Sequence, residues 1–284
     1  MDTFSYQLGD TGTILNPNDT SVLPFVDIRN VSGLDTPEYR TSERDHEGTD
    51  GGFLDAEFEK MRTITLEGQV IGDVSTVETF LDKLKGEWAP RRTTVPFNFA
   101  HPGVAQRTIF VKPIGVRYDV TTLRNTGCAD IQFMAQAEDP RIYDSALQTV
   151  QLATGIPIST GIGFPLDFPF GFGDVVSPDG TTVTNGGNRP APATITLFGP
   201  VTNPVIYNDT TSDTLAFTID VGASDYLVID LGAKTVKLNG SASRRGTLLN
   251  PNWFLLEPGD NFIRYRATAG GATPASIAFR NAWR

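Results

Sequence analysis

CADIQFMAQAEDPRIY, residues 128–143, is the stretch whose reading decides the fold. Ala129, Ile131, Phe133, Ala135 and Ala137 alternate with Asp130, Gln132, Met134 and Gln136. That period of two sets one face of a strand on a core. Asp139-Pro140 ends the strand, because proline gives no amide to a ladder and holds the residue before it extended. N-terminal to this point the pattern is strands plus one helix; beyond it, strands and turns only. The expected class is therefore mainly β in two domains, with DPRIY as the way out of the first.

A chain of 284 residues exceeds the size at which one core stops growing, which supports two domains. Apolar residues make up 39%, enough for two cores, and 18 phenylalanines suit sheet packing. The 28 glycines and 19 prolines imply many turns, as in sandwiches and barrels. A net charge of −10 argues against nucleic acid or an anionic membrane as main partner, since each needs a basic face. The single cysteine, Cys128, excludes an intrachain disulfide and reads as a small buried hydrophobe. MDTFSYQLGD has no basic segment followed by an apolar run, so no secretory signal is expected. No stretch approaches the roughly 18 apolar residues that cross a bilayer. A soluble chain made in a cytoplasm, without membrane insertion, is expected.

Outward from the opening stretch, Phe4, Tyr6 and Leu8 alternate as a short strand, and VLPFVDI (22–28) forms a second whose Pro24 suits an edge or an end. Residues 30–59 are glycine-rich, charged and aperiodic, and read as a long solvated loop. Its cluster Glu43, Arg44, Asp45, His46, Glu47 and Asp50 lacks zinc or EF-hand spacing. Ordering against a neighbouring subunit is compatible with such a loop. RTITLEGQVI (62–71) is the strongest strand of the first half; Ile64, Leu66 and Val70 share a face, and Gly68 leaves room for another backbone. Ser75-Thr76-Val77-Glu78 has the form of a capping box opening a helix over about 75–88. Val77, Phe80, Leu81, Leu84 and Trp88 make its apolar stripe, and Thr79, Asp82, Lys83 and Lys85 its outer face. Candidate subunit-interface residues are thus Arg44, Asp45, His46, Glu47, Asp50, Asp82 and Lys83. Strands are expected at 93–99 and 107–117, with His101 exposed in the turn between them, and one more within 145–160.

The boundaries expected from these patterns are 1–160 for the first domain, 161–190 for a connector and 191–284 for the second domain. GIGFPLDFPFGFGDV (161–175) reads as an extended connector pinned by its phenylalanines. Turns are expected at 177–180 and 185–188. Beyond them, Ile195/Leu197, Leu215/Phe217/Ile219/Val221, Leu227/Ile229/Leu231, Val236/Leu238, Phe262/Arg264 and Ile277/Phe279 mark short strands spaced as in a sandwich or jelly roll. DLGAKTVKL reads as a hairpin through Gly232-Ala233, and Pro258-Gly259 as a type II turn.

No catalytic constellation emerges. There is no GxSxG, no HExxH and no supported Cys–His pair, and the histidines His46 and His101 lie in unrelated loops. No carboxylate pair stands out for glycoside hydrolysis, and the glycine-rich stretches lack the context for cradling phosphate. The reading is of a protein with no enzymatic activity, no cofactor and no metal.

Five segments together resemble the distal tail proteins of long, flexible-tailed (siphovirus-type) bacteriophages. They are RTITLEG (62–68) leading into the helix; FMA (133–135) followed by DPRIY; GFPLDFPFGFG; LEPGDNFIRY (256–265); and RNAWR (280–284). The likeness runs nearly the whole length, apart from residues 30–59. It implies a structural hub protein of the virion tail tip. An N-terminal tail-tube-like β-sandwich or barrel with one packed helix would form a six-fold ring, and a C-terminal galectin-like or jelly-roll sandwich would sit outside it. The implied partners are further copies of the chain, a tail tube protein and a tip or baseplate hub protein. A heterologous interface whose rotation closes gives such a ring.

A second reading, from another class, is a carbohydrate-binding module or host-surface adhesin using the C-terminal sandwich. Trp253, Tyr226 and Tyr207 are its candidate aromatics and host glycans its ligands.

Overall fold

The computed structural model describes residues 4–15, 23–41, 43–46, 48–50, 52–54, 57–152, 154–155, 180–267, 269–270 and 275–284. The chain forms two compact units, one of residues 1–145 with 283–284 and the other of residues 146–282. The division therefore falls at Ser145 rather than at the expected residue 160. Its cause is the strand just beyond: Gln148–Leu152 is hydrogen-bonded throughout to Ala275–Phe279 of the second unit. The phenylalanines of the expected connector, residues 161–175, lie outside the described residues.

In the first unit, β1 (Ser5–Leu8), β2 (Ile14–Leu15), β3 (Phe25–Ser32), β4 (Tyr39–Arg40), β5 (Glu43–Asp45), β6 (Gly52–Leu54), β7 (Phe58–Glu59) and β8 (Arg62–Ile71) precede helix α1 (Val74–Glu87). Then come β9 (Val95–Ala100), β10 (Arg107–Tyr118), helix α2 (Val120–Thr126), β11 (Cys128–Ala137) and β12 (Ile142–Asp144). The sheet order is β2-β1-β9-β10-β11-β8-β3. β10 makes this possible: residues 107–111 pair with β9, whereas residues 112–118 pair with β11. The ladder shifts between Pro113 and Gly115, a bulge of the kind that bends a strand from one layer into another.

β11 behaves as its alternation requires. Ala129, Ile131, Phe133, Ala135 and Ala137 are buried, and all ten residues pair with β8. Gly68 of β8 permits the close approach read from the sequence, since a Cβ there would stand 2.1 Å from the Asp27 carbonyl oxygen of β3. Helix α1 lays Val77, Leu81, Leu84 and the C-cap Trp88 into this core, with Phe80 only partly buried beside them. Each fully buried aliphatic contributes roughly 1.5–3 kcal/mol. Trp88 meets Phe133 at 4.8 Å and Phe97 at 6.2 Å between ring centroids.

Four local readings need correction. The capping box does not form: the N-cap is Asp73, Ser75 lies inside the first turn, and the Thr76 hydroxyl donates to the Asp73 carbonyl at 2.9 Å. A second helix, α2, was not expected, because Leu123 is its one buried hydrophobic side chain. Its caps were nonetheless in the sequence: Asp119 accepts from the Thr121 amide at 2.9 Å, and Gly127 closes it at φ 71°. Cys128 is half-buried at the start of β11, where the strand leaves the core. His101 is no plain turn residue. It is half-buried among the rings of Phe4, Tyr6 and Phe99 at 5.1, 5.9 and 5.4 Å, with the Tyr6 hydroxyl 3.4 Å from its Nε2.

The second unit runs β13 (Gln148–Leu152), β14 (Thr154–Gly155), β15 (Gly180–Asn185), β16 (Ala193–Phe198), β17 (Val201–Thr202), β18 (Val205–Asn208), β19 (Asp213–Phe217), β20 (Asp220–Val221) and β21 (Tyr226–Asp230). β22 (Thr235–Leu238), β23 (Ala242–Ser243), β24 (Leu248–Pro251), β25 (Gly259–Arg266), β26 (Ala269–Gly270) and β27 (Ala275–Phe279) complete it. Two sheets result, β13-β27-β16-β21-β22-β23 and β14-β25-β18-β19-β24 with β15 on β25, a sandwich as expected. Ile195, Leu197, Leu227, Ile229, Ile277 and Phe279 line one inner face; Ile206, Leu215, Phe217, Ile263 and Tyr265 line the other. The strand marked by Phe262 and Arg264 forms as β25, with Asn261, Ile263 and Tyr265 its inward residues. The hairpin through Gly232-Ala233 forms, and Gly259 takes φ 89°, as the third position of a type II turn demands. β15 occupies residues assigned to the connector.

Buried asparagines fix the turns of this unit. Asn185 donates to the Arg189 and Leu256 carbonyls at 2.7 and 3.0 Å, and accepts from the Gly187 amide at 3.1 Å. Asn261 spans the type II turn, accepting from the Glu257 amide at 2.9 Å and donating to the Glu257 carbonyl at 2.8 Å.

Two outcomes follow for the first unit. Gly68→Ala should lower stability by about 3 kcal/mol, because the methyl meets backbone rather than a movable side chain. Gly86→Ala, on α1 with nothing within 4 Å of the new methyl, should raise it by about 0.5–1 kcal/mol. Thermal unfolding followed by circular dichroism checks both, and equal melting of the two variants would refute the packing described for Gly68. Burial, and then the Arg107 charge, hold the His101 imidazole below its ordinary value. Its contribution to stability is therefore fully present above the unfolded value of about 6.5 and is lost as pH falls from there through the lower folded value. Melting temperatures between about pH 8 and pH 5 should drop more for the native chain than for His101→Phe.

Candidate assembly surface of the first unit

The long segment expected to be a loop is a two-tier hairpin. β4 pairs antiparallel with β7, Tyr39 opposite Glu59 and Arg40 opposite Phe58. Further out β5 pairs with β6, Glu43 opposite Leu54, Arg44 opposite Phe53 and Asp45 opposite Gly52. Composition hid this arm, because glycines and charges break the alternation, while pairing between near neighbours in sequence costs little loop entropy. Arg44 and Asp45 lie on β5, and His46 follows it. Asp50 is exposed in the turn, and Glu47 lies outside the described residues.

The arm is fixed at its root. Arg62, first residue of β8, is 3% exposed. Its Nε donates to the Pro140 carbonyl at 3.1 Å, and its Nη1 to the Gly33 carbonyl at 2.9 Å and to that of Asp35. One guanidinium thus joins the DPRIY corner to the segment entering the arm. At the arm's base the Arg284 guanidinium lies 3.6 Å from Glu59 and 5.7 Å from the centre of the Tyr39 ring. The Tyr39 hydroxyl donates to Glu59 at 3.4 Å. Trp283 is held nearby in the same unit, its indole donating to Asp144 at 2.7 Å while the Arg107 guanidinium covers its ring at 4.4 Å. The DPRIY corner adds its own clasp: the Tyr143 hydroxyl donates to Asp139 at 2.5 Å, and Arg141 bridges the same carboxylate at 3.2 Å. Burial, then the Asp139 charge, push the Tyr143 phenol well above its usual range.

Two other surfaces accompany the arm. Asp82 and Lys83 are exposed on α1 as expected, with Lys85 bridging Asp82 and Lys83 lying 3.7 Å from Glu87. They stand on the helix, whereas Arg44, Asp45, His46 and Asp50 stand on the arm. The second surface, β3, ends the sheet, and a strand at an edge offers its backbone for pairing. Behind that edge runs a polar ladder that sequence reasoning missed. Arg29 donates to Gln69 at 2.9 Å and Gln69 to Asp130 at 3.1 Å. Asn30 and Gln132 donate to the two oxygens of Glu67 at 3.1 and 2.8 Å and lower its pKa, Asn30 the more. An open cavity of about 640 Å³ lies there, lined by Arg29, Glu67, Arg117, Tyr118, Asp119 and Gln132 among others. Among the described residues no cluster of metal-ligating side chains is found.

Of the aromatics considered in the second unit, Tyr207 is half-buried under the Arg264 guanidinium at 4.8 Å, and Trp253 is half-buried beyond β24. Tyr226 is exposed.

Residues 186–283 match the family model described as the siphovirus-type tail component, C-terminal domain. Over its length the chain is similar in structure to the SPP1 Dit protein, described as a paradigm of the hub adsorption apparatus in phages infecting Gram-positive bacteria. The TM-score is 0.65 at 16% identity, covering 99% of each chain. It is also similar to a chain of the phage P2 baseplate in its activated conformation with Ca (TM-score 0.53, 10% identity, 99% of this chain and 98% of that one). A chain of the p2 baseplate with Sr gives a TM-score of 0.51 at 9% identity, with the same coverage of 99% and 98%. No curated protein matches the chain. The resemblance carried by the sequence motifs is borne out: residues 186–283 match the siphovirus-type tail component C-terminal domain, and the fold is shared along the whole chain with the SPP1 Dit protein.

Proposed function

We propose that this chain is a structural hub protein of a bacteriophage tail tip, forming a closed ring that joins the tail tube to the tip or baseplate. The observation that carries the reading is the fold shared over 99% of both chains with a hub adsorption protein, together with the tail-component domain at residues 186–283. The ring is a homohexamer built by the first unit, and its neighbours in the virion are a tail tube protein and a tip or baseplate hub protein. The chain performs no catalysis. Its surface chemistry suits assembly: a rooted two-tier hairpin, a charged outer helix face and a sheet ending on a strand eight residues long. In this reading the arm that carries Arg44, Asp45, His46 and Asp50, and the face of α1 that carries Asp82 and Lys83, meet neighbouring copies.

Negative-stain images and light scattering of the concentrated protein should show rings of six copies, and labelling of intact particles should place it at the tail tip. Monomers at all concentrations, with label elsewhere on the particle, would refute the reading. Replacing residues 41–57 by a short Gly-Ser link should abolish rings while leaving the melting transitions of the remaining chain in place. Arg62→Met should act through the root instead. It leaves buried carbonyls without their donor and should cost about 3 kcal/mol or more. Protease cleavage within residues 33–61 should then outpace that of the native chain.

A further inference from the structure

The second unit presents a small aromatic platform that the hub role leaves unused. Phe198 at the end of β16 and Tyr226 at the start of β21 stand opposite each other in the ladder, 44% and 37% exposed. Their ring centroids lie 6.4 Å apart at 44°. Beside them polar groups are held in place. Asn239, at a left-handed φ of 51°, accepts from the Tyr226 amide at 3.0 Å and donates to Asp225 Oδ1 at 2.7 Å. A non-glycine residue in that conformation persists only where its surroundings fix it, and these two bonds do so. The other carboxylate oxygen, Oδ2, lies on the side of Gly222, 2.9 Å from where a Cβ on that glycine would stand. On the far side the Tyr226 hydroxyl stands 3.6 Å from where a Cβ on Gly240 would lie.

We infer that this patch is a binding site for a neutral hexopyranose unit of a surface glycan, stacked on Phe198 and Tyr226 and held by Asp225. One face of a pyranose presents polarised C–H bonds, which the negative face of an aromatic ring attracts. Vicinal hydroxyls at its edge donate to a carboxylate, and hydrogen bonds to a charged acceptor are the strong ones. The fixed Asn239–Asp225 pair supplies that acceptor without an ordering cost at binding. An anionic polymer is disfavoured by Asp225 itself and by the net charge of −10. A peptide adding as a strand is also disfavoured, because β16 and β21 are interior to the order β27-β16-β21-β22 and offer no backbone edge.

The test is saturation-transfer NMR on the full chain with methyl α-glucoside, methyl β-galactoside, methyl α-mannoside and N-acetylglucosamine. At least one should receive transfer, concentrated on the C–H protons of one ring face. Phe198→Ala and Tyr226→Ala should each weaken binding at least tenfold and Asp225→Asn at least threefold, with melting and oligomeric state unchanged. Tyr226→Phe, which keeps the ring, should retain stacking and guards against a variant that merely unfolds. The proposal fails if none of the four sugars receives transfer, or if transfer survives in the Phe198→Ala/Tyr226→Ala double variant. It fails equally if these variants alter the oligomeric state while no sugar binds, since the patch is then a protein contact. Ring formation is read separately, so either result stands without the other.

Discussion

The guanidinium of Arg62 is the constraint on which the first unit depends. Burying a cation is expensive, and it persists only where its donors are met in good geometry. Here the fork donates to the carbonyls of Gly33 and Asp35 and to that of Pro140, two segments far apart in sequence. A planar group with fixed donor directions fixes positions as well as energy, which a lysine in its place would not do. The segment into the arm and the corner out of β11 are thereby set against the same residue of β8. The arm leaves the body just before Arg62 and is braced again at its base by Glu59, Tyr39 and Arg284. A hairpin so rooted is preorganised, and a preorganised element loses less entropy when it meets a partner.

How much of this was legible depended on whether the signal was local. The alternation in residues 129–137 announced a strand buried on one face, and Gly68 in an otherwise bulky strand announced the approach of β3. The apolar stripe of α1 announced which face would be covered. Each is a pattern whose cause lies within one element. The arm was not legible, because its strands are two or three residues long and are defined by partners rather than by periodicity. Nothing in the sequence marks Arg62 as buried; only the folded chain brings Gly33, Asp35 and Pro140 around it. His101 was read as exposed for the same reason, since Phe4 and Tyr6 reach it from the other end of the unit. The candidate interface residues were legible only as charges without a structural task, which two loops and a helix face can share.

The two units reach order by different means. In the first, aromatic packing around Trp88, Phe97 and Phe133 gives α1 one seat on the sheet. In the second, hydrophobic strands alternate so regularly that many registers would bury similar area, and a one-residue slip exchanges the faces. Asn185 and Asn261 remove that degeneracy. Each is wholly buried, and each satisfies main-chain groups available in only one register. A slipped strand would leave a carboxamide buried without partners, which costs more than the bonds themselves return. Polar groups in this core thus act against wrong folds more than they add stability.

That distinction bears on why the surface proposed for assembly and the one proposed for recognition belong to different units. Ring closure asks for elements that meet another backbone: an edge strand, a rooted hairpin, a helix with an exposed charged face. The first unit has all of these, and the bulge between Ile28 and Asn30 interrupts the regular ladder of β3, which limits indiscriminate pairing along that edge. Ligand recognition asks instead for rigid side chains on strands whose backbones are already paired, so that nothing competes with the ligand. Phe198 and Tyr226 stand on such interior strands, β16 and β21, each paired on both sides.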